Sequence, residues 1–300
     1  MIFQVFVVIL FSGYLVLLTF LVAHQLFPSK TRQQIATSSL QSHHSQYQSI
    51  VELHQVHKSF DSPVIQGISF KVRQGETLGI LGQSGSGKSV TLKLITGFLK
   101  PDSGHVVFAN KNLNHMYENE LLALRKRVAY VFQGGAIFDF LNIQENIAYP
   151  LREMGTMDES MINSRVQYLL QAVGLEDQAQ LQGDELSIGT KKLVAISRAI
   201  ASNPEVILYD EPTAGLDPLA RKSLTKHIQR LSKQQHLTSI VVTHDLKCLE
   251  ILADRIILLK DGMIRFEGRQ EDFNTSSDPF VQAFITGRSA DERTRDTLLG

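Results

Sequence analysis

The sequence predicts an α/β fold built on a mainly parallel sheet and preceded by one membrane-spanning helix. Three stretches carry that expectation. GQSGSGKSV, residues 82–90, follows an apolar run and opens a helical pattern, so its glycines fall at a strand-to-helix turn. VILYDEP, residues 206–212, is an apolar run ending in two carboxylates, as expected of a central parallel strand whose carboxyl end faces a ligand. MIFQVFVVILFSGYLVLLTFLVA, residues 1–23, holds no charged side chain.

Taken in chain order, residues 1–23 as a helix would extend about 34 Å, enough for a hydrocarbon core of about 30 Å. A secretory signal is the rival reading, but its basic start is missing and no small-x-small cleavage site follows. A third reading, that the start codon is assigned too far upstream, stays open beside these. Lys30 and Arg32 follow the segment, so the positive-inside tendency leaves the downstream chain in the cytoplasm. Residues 1–27 are therefore expected to be an anchor, and residues 28–49, rich in Gln, Ser and His, a polar linker.

From about residue 50 strand and helix patterns alternate. SIVELHQV and ISFKV read as strands, and ETLGIL reads as a buried strand before the glycines. VTLKLITGFL places Val90, Leu92, Leu94 and Ile95 at spacings suited to a helix packed on a sheet. Asp261-Gly262, between RIILLK and MIRFEG, predicts a tight hairpin. The ending RSADERTRDTLLG, residues 288–300, is charged and reads as a solvated tail.

Composition narrows the partners. With 43% hydrophobic residues in 300, the chain has enough apolar content for one large or two small domains. Thirty basic residues balance thirty acidic ones, which argues against nucleic acid, whose phosphates need a concentrated positive surface. The single cysteine, Cys248, excludes an intramolecular disulfide and fits a reducing compartment.

The stretch at 82–89 has the pattern G-x-x-x-x-G-K-[ST] in the context that pattern requires. Gly82, Gln83, Ser84, Gly85, Ser86 and Gly87 let backbone amides close on phosphate oxygens, and the helix start adds positive potential. Lys88 reaches the β and γ phosphates, Ser89 ligates Mg²⁺, and Val90 continues the nucleotide-binding run. Asp210 is expected to hold Mg²⁺ through water and Glu211 to polarise the attacking water.

Over about residues 50–287 the chain closely resembles the ATP-binding cassette (ABC) family. The resemblance rests on the two motifs above and on Gln133 in YVFQGG, Ser187 in ELSIGTKK, Asp217 in AGLD and His244 in IVVTHD, all in family order. It implies a P-loop NTPase cassette: a RecA-like core, an antiparallel β region near residues 50–75 and a helical subdomain at about 134–188. It further implies that Gln133 touches Mg²⁺ and the attacking water and senses the transporter, that His244 contacts the γ phosphate, and that Phe60 stacks on adenine. In the family, ATP lies between two cassettes, so a homodimer is implied, with Ser187 and Gly189 of one copy and the loop containing Asp217 facing the nucleotide of the other. A GTPase would need an Asn-Lys-x-Asp motif, whereas residues 110–113 read NKNL.

The signature departs from Leu-Ser-Gly-Gly-Gln at Ile188 and Thr190. Ser187 suits a helix N-cap. A β-branched residue at 188 is expected to resist any backbone conformation that glycine alone tolerates, to narrow the approach of the opposing nucleotide, and so to slow hydrolysis.

Neither tandem cassettes nor a heptad run is present, which favours transport over roles in translation or DNA repair. QGGAIFDFLNIQENIAYPLREM, residues 133–154, and SSDPFVQAFITGR, residues 276–288, resemble the ATPase subunits of Mla-type systems. That resemblance implies ATP hydrolysis at the cytoplasmic face of the inner membrane beneath membrane permease subunits, with an MCE-domain lipid-binding protein and phospholipid as cargo. An importer for amino acids or other small solutes, and a slow-hydrolysing nucleotide-dependent assembly module, are the alternatives.

Overall fold

The structure of the protein is a computed structural model that describes residues 48–286. The predicted anchor at 1–27, the linker as far as residue 47 and the tail at 288–300 lie outside the described residues. Among the described residues no helix is long and apolar enough to cross a membrane.

In chain order the strands are β1 (Ser49–Ser59), β2 (Pro63–Arg73), β3 (Thr77–Gly82), β4 (Ser103–Phe108), β5 (Lys111–Asn112), β6 (Val128–Val131), β7 (Val206–Asp210), β8 (Thr238–Thr243), β9 (Arg255–Lys260) and β10 (Met263–Arg269). The helices are α1 (Lys88–Ile95), α2 (Glu118–Arg125), α3 (Ile143–Met154), α4 (Glu159–Val173), α5 (Ile188–Ala201), α6 (Pro218–Gln235), α7 (Leu246–Leu252), α8 (Gln270–Asn274) and α9 (Pro279–Thr286).

Two sheets form. One is antiparallel, in the order β2-β1-β4-β5; the other runs β10-β9-β3-β8-β7-β6 and is parallel except for β10. Every residue of β3 and β8 is buried, as expected where both faces of a parallel sheet are covered. The strand β7 shows how the two faces divide. Ile207 and Tyr209 pack into a core shared with α3, α4, α5 and α6, while Val206 and Leu208 pack into a second core shared with the antiparallel sheet and α1.

The predicted hairpin joins β9 to β10, with Met263 paired to Lys260. Its two turn residues, Asp261 and Gly262, have φ of +49° and +74°, the left-handed pair that an Asp-Gly turn accommodates. The predicted helix after the phosphate loop is α1, in which Leu92, Leu94 and Ile95 are buried and Val90 is half-buried.

Between β6 and β7 the chain builds the helical part. Asn142 caps α3 by accepting from the Glu145 amide at 2.7 Å, and Asp158 caps α4 by accepting from the Met161 amide at 2.8 Å. Gly155 and Gly174 end the two helices in the left-handed conformation. Asn146, fully buried, accepts from the Phe138 amide at 2.9 Å and donates to the Phe138 carbonyl at 3.0 Å. This one side chain pins the loop that follows Gln133 to α3, which gives a physical reason for an asparagine in ENIA.

Candidate functional site

The parallel strands deliver their carboxyl ends to one edge of the six-stranded sheet, where a doubly wound fold binds ligands. At that edge β3 ends in the glycine loop. Gly85 and Gly87 take φ of +81° and +97°, which a side chain would strain. A Cβ on Gly82 would collide with the Ser86 hydroxyl and stand 2.8 Å from the Leu259 carbonyl. The loop is thus a cradle that closes only around glycine.

Lys88, the first residue of α1, is 7% exposed and donates to the Gly82 and Gln83 carbonyls at 2.9 and 3.0 Å. Its ammonium also lies 3.5 Å from Glu211 Oε1. Ser89 Oγ donates to Asp210 Oδ1 at 2.9 Å, so the predicted metal-binding pair already meets. The other Asp210 oxygen accepts from the Tyr130 hydroxyl at 2.8 Å. Burial raises the pKa of that phenol, and the Asp210 hydrogen bond and charge raise it further, so Tyr130 stays a donor.

Glu211 follows β7 at φ +47°, a strained value for a non-glycine residue that its amide helps to hold by donating to the Val242 carbonyl at 2.9 Å. Its Oε2 accepts from Thr243 Oγ at 3.0 Å and lies 2.9 Å from His244 Nδ1. A carboxylate, an imidazole and a buried ammonium therefore converge beside the glycine loop. That arrangement can orient and deprotonate a water next to a bound phosphate.

The remaining predicted residues fall elsewhere. Phe60 is 58% exposed at the turn between β1 and β2, with Lys58 Nζ 5.6 Å from its ring centroid. Gln133 is exposed two residues beyond the end of β6; its carbonyl accepts from Lys192 Nζ at 2.8 Å, and among the described residues its side chain makes no hydrogen bond. Ser187 caps α5 by accepting from the Thr190 amide at 3.1 Å. Asp217 caps α6 by accepting from the Leu219 and Ala220 amides at 2.9 and 3.0 Å. Gly189 lies close to this second group, since a Cβ there would stand 4.0 Å from the Leu216 side chain. Among the described residues no hydrogen bond joins Ser187, Gly189 or Asp217 to the glycine loop. One copy therefore carries two separate clusters.

One expectation is corrected. Ile188 is the first residue of α5 and its φ is not positive, so isoleucine meets no glycine-only backbone there. What it does is project: it is 62% exposed beside Ser187.

Tyr130, Thr243 and Lys192 were not among the predicted site residues. Thr243 had a signal, a hydroxyl at the carboxyl end of a parallel strand directly before His244. Lys192 had a weaker one, since it shares the buried face of α5 with Ala195 and Ile196, three and four residues on. Tyr130 had none beyond its place in a strand.

The donor set suits Mg²⁺-ATP. Ser89 and Asp210 offer two hard oxygens and leave other positions for phosphates and water, the usual arrangement for Mg²⁺. Within the cradle, the Ser86 hydroxyl is buried and has no hydrogen-bond partner among the described residues. Fold and site together define a P-loop ATPase of the cassette type.

Comparison with known proteins agrees. A family model described as ABC transporter matches residues 65–214. The intermembrane phospholipid transport system ATP-binding protein MlaF of Escherichia coli (strain K12) is 37% identical over 224 residues, covering 75% of this chain and 83% of that one. The spermidine/putrescine import ATP-binding protein PotA of Mycoplasma capricolum subsp. capricolum (strain California kid) is also 37% identical, over 238 residues that cover 79% of this chain and 66% of that one. The solved dimer of the ATP-binding cassette MJ0796, in a post-hydrolysis state bound to ADP and Pi, superposes with a TM-score of 0.66 at 32% identity, covering 73% of this chain and 98% of that one. The chain belongs to the ABC transporter family, as its ATP-binding, ATP-hydrolysing subunit.

Proposed function

We propose that two copies of this chain bind Mg²⁺-ATP between them and hydrolyse it to drive phospholipid transport across the cell envelope. They would do so at the cytoplasmic face of the membrane, together with permease subunits and an MCE-domain protein. The observation that carries the ATPase part is the convergence of Lys88, Ser89, Asp210, Glu211 and His244 around one glycine cradle.

In this reading the loop amides and Lys88 hold the β and γ phosphates, and Ser89 and Asp210 hold Mg²⁺. The metal, when bound, draws charge from the γ-phosphate oxygens. Glu211 takes the proton of the attacking water, and His244, 2.9 Å from the Glu211 carboxylate, orients it and contacts the γ phosphate. Phe60 stacks on adenine and Gln133 reaches the water and metal from the helical side. The separation of Ser187, Gly189 and Asp217 from the glycine loop supports a homodimer, because a second copy brings its own cluster to the open side of the cradle.

Phospholipid is favoured by the likeness of residues 133–154 and 276–288 to Mla-type subunits and by the 37% identity with MlaF. Equal identity with PotA keeps small-solute import as the alternative. Purification of the full chain from native membranes, with identification of co-purifying proteins and bound lipid, separates the two. A permease with an MCE-domain protein and phospholipid is the expected result; a solute permease without either contradicts it. We further propose that residues 1–27 anchor the chain and raise its local concentration beside the permease. Membrane association that survives deletion of residues 1–30 in cells holding the permease would remove that part.

Exposed Ile188 favours a second reading, an assembly module that closes on ATP and hydrolyses little. Turnover and nucleotide affinity measured on one purified complex distinguish it: tight binding with negligible turnover supports the module.

A further inference from the structure

We propose that Lys192 is a positioning residue that ties the Gln133 segment to α5, so that the loop sensing one nucleotide and the helix capping the other move as one body. The inference rests on the roles proposed above for Gln133 and Ser187.

Lys192 is 4% exposed, a rare environment for a lysine, and among the described residues it has no carboxylate within ion-pair distance. Its ammonium donates to the Gln133 carbonyl at 2.8 Å. Burying an ammonium costs several kcal/mol unless it is well paired, so a place in the core solely to fill space would favour methionine or leucine.

The tie is part of a wider grip. Lys191 pairs with Asp139 at 2.9 Å, and Arg198 donates to the Ala136 carbonyl at 2.7 Å while its guanidinium lies 5.4 Å from the Phe138 ring centroid. Three cations of α5, Lys191, Lys192 and Arg198, thus hold the loop from Gln133 to Asp139. The loop passes so near that a Cβ on Gly135 would stand 3.5 Å from the Lys191 carbonyl. Of the three, Lys192 alone is buried and alone grips Gln133 itself. It also lies five residues beyond Ser187 on the same helix, about 7.5 Å along the axis at 1.5 Å per residue. A displacement of Gln133 therefore reaches the α5 N-terminus through one hydrogen bond and about one and a half turns of helix.

The test uses the full-length chain with its co-purifying complex and the variants Lys192→Met, Lys192→Arg, Gln133→Ala and the Lys192→Met/Gln133→Ala pair. Steady-state ATPase gives kcat and KM, and hydrogen exchange reads the amides of residues 134–139. Lys192→Met is expected to lower kcat about tenfold, leave KM for ATP within twofold and speed exchange across the loop. Lys192→Arg is expected to keep at least half the turnover. In the Gln133→Ala background Lys192→Met should cause no further loss of turnover, while exchange at 134–139 should still quicken, because the backbone carbonyl at position 133 remains for Lys192 to hold. Equal loss from Lys192→Met with and without Gln133→Ala would overturn the proposal, as would unchanged kcat and exchange in Lys192→Met. If Gln133→Ala alone leaves turnover at the wild-type level, the role given to Gln133 fails, and exchange at 134–139 still decides whether Lys192 holds the loop. Should Lys192→Met lose its thermal transition, Lys192→Leu supplies the same measurements, again without a donor.

Discussion

Replacing Glu211 by glutamine removes the charge of the proposed base and keeps its shape. Glu211 Oε2 sits 2.9 Å from His244 Nδ1 and accepts from Thr243 at 3.0 Å, and its other oxygen lies 3.5 Å from Lys88. A glutamine carbonyl can keep the first two contacts, so the site should stay assembled. Loss of general-base catalysis raises the barrier by about 2.7–5.4 kcal/mol, a fall in turnover of roughly 10²–10⁴. ATP affinity should hold, because a negative charge next to the triphosphate is removed and Lys88 keeps its two loop carbonyls. The folding cost is on the order of 1 kcal/mol, or roughly 2–4 °C in Tm for a domain of this size. Phosphate release and ATP binding are to be measured on one preparation of the complex. Turnover within tenfold of the wild type would place the base elsewhere. Collapse of ATP binding would make Glu211 a structural residue.

Three further predictions follow from the same site. Gly87→Ala places a methyl at φ +97°, 2.5 Å from Ile65 Cδ1 and 3.0 Å from the Val64 carbonyl; it should cost about 2–3 kcal/mol, lower Tm by roughly 5–10 °C and abolish ATP binding, and a thermally neutral variant that binds ATP would contradict the cradle. Tyr130→Phe takes a donor from Asp210 Oδ2 and should raise the Mg²⁺ concentration for half-maximal turnover about tenfold, which a magnesium titration checks; an unchanged midpoint would show that Asp210 needs no such support. Ile188→Gly should raise ATPase turnover in the assembled complex by uncovering the approach to Ser187, at a helix cost under about 1 kcal/mol, and an unchanged or lower rate would clear the isoleucine of slowing hydrolysis.

Residues whose role depends on local backbone chemistry were legible in the sequence. Glycines at 82–87 before a lysine, carboxylates at the end of VILYDEP, Ser187 before a helical run and Asp-Gly at 261–262 each specify a local geometry, and each takes it in the structure. Residues whose role depends on distant contacts were not. Tyr130 reaches Asp210 only because β6 lies beside β7, and Lys192 reaches Gln133 only because α5 packs under that loop. The same limit explains the correction at Ile188. Its identity suggested a backbone conflict, but its position as the first residue after a serine cap gives it an ordinary helical start, leaving only its side chain to matter.

A high-resolution structure of the Glu211→Gln complex loaded with Mg²⁺-ATP tests the central claim most directly. The account predicts two copies facing each other, with the Lys88 amine of one and the Ser187 hydroxyl of the other on the same triphosphate. A triphosphate held by Lys88 with no Ser187 from a second copy beside it would contradict the account.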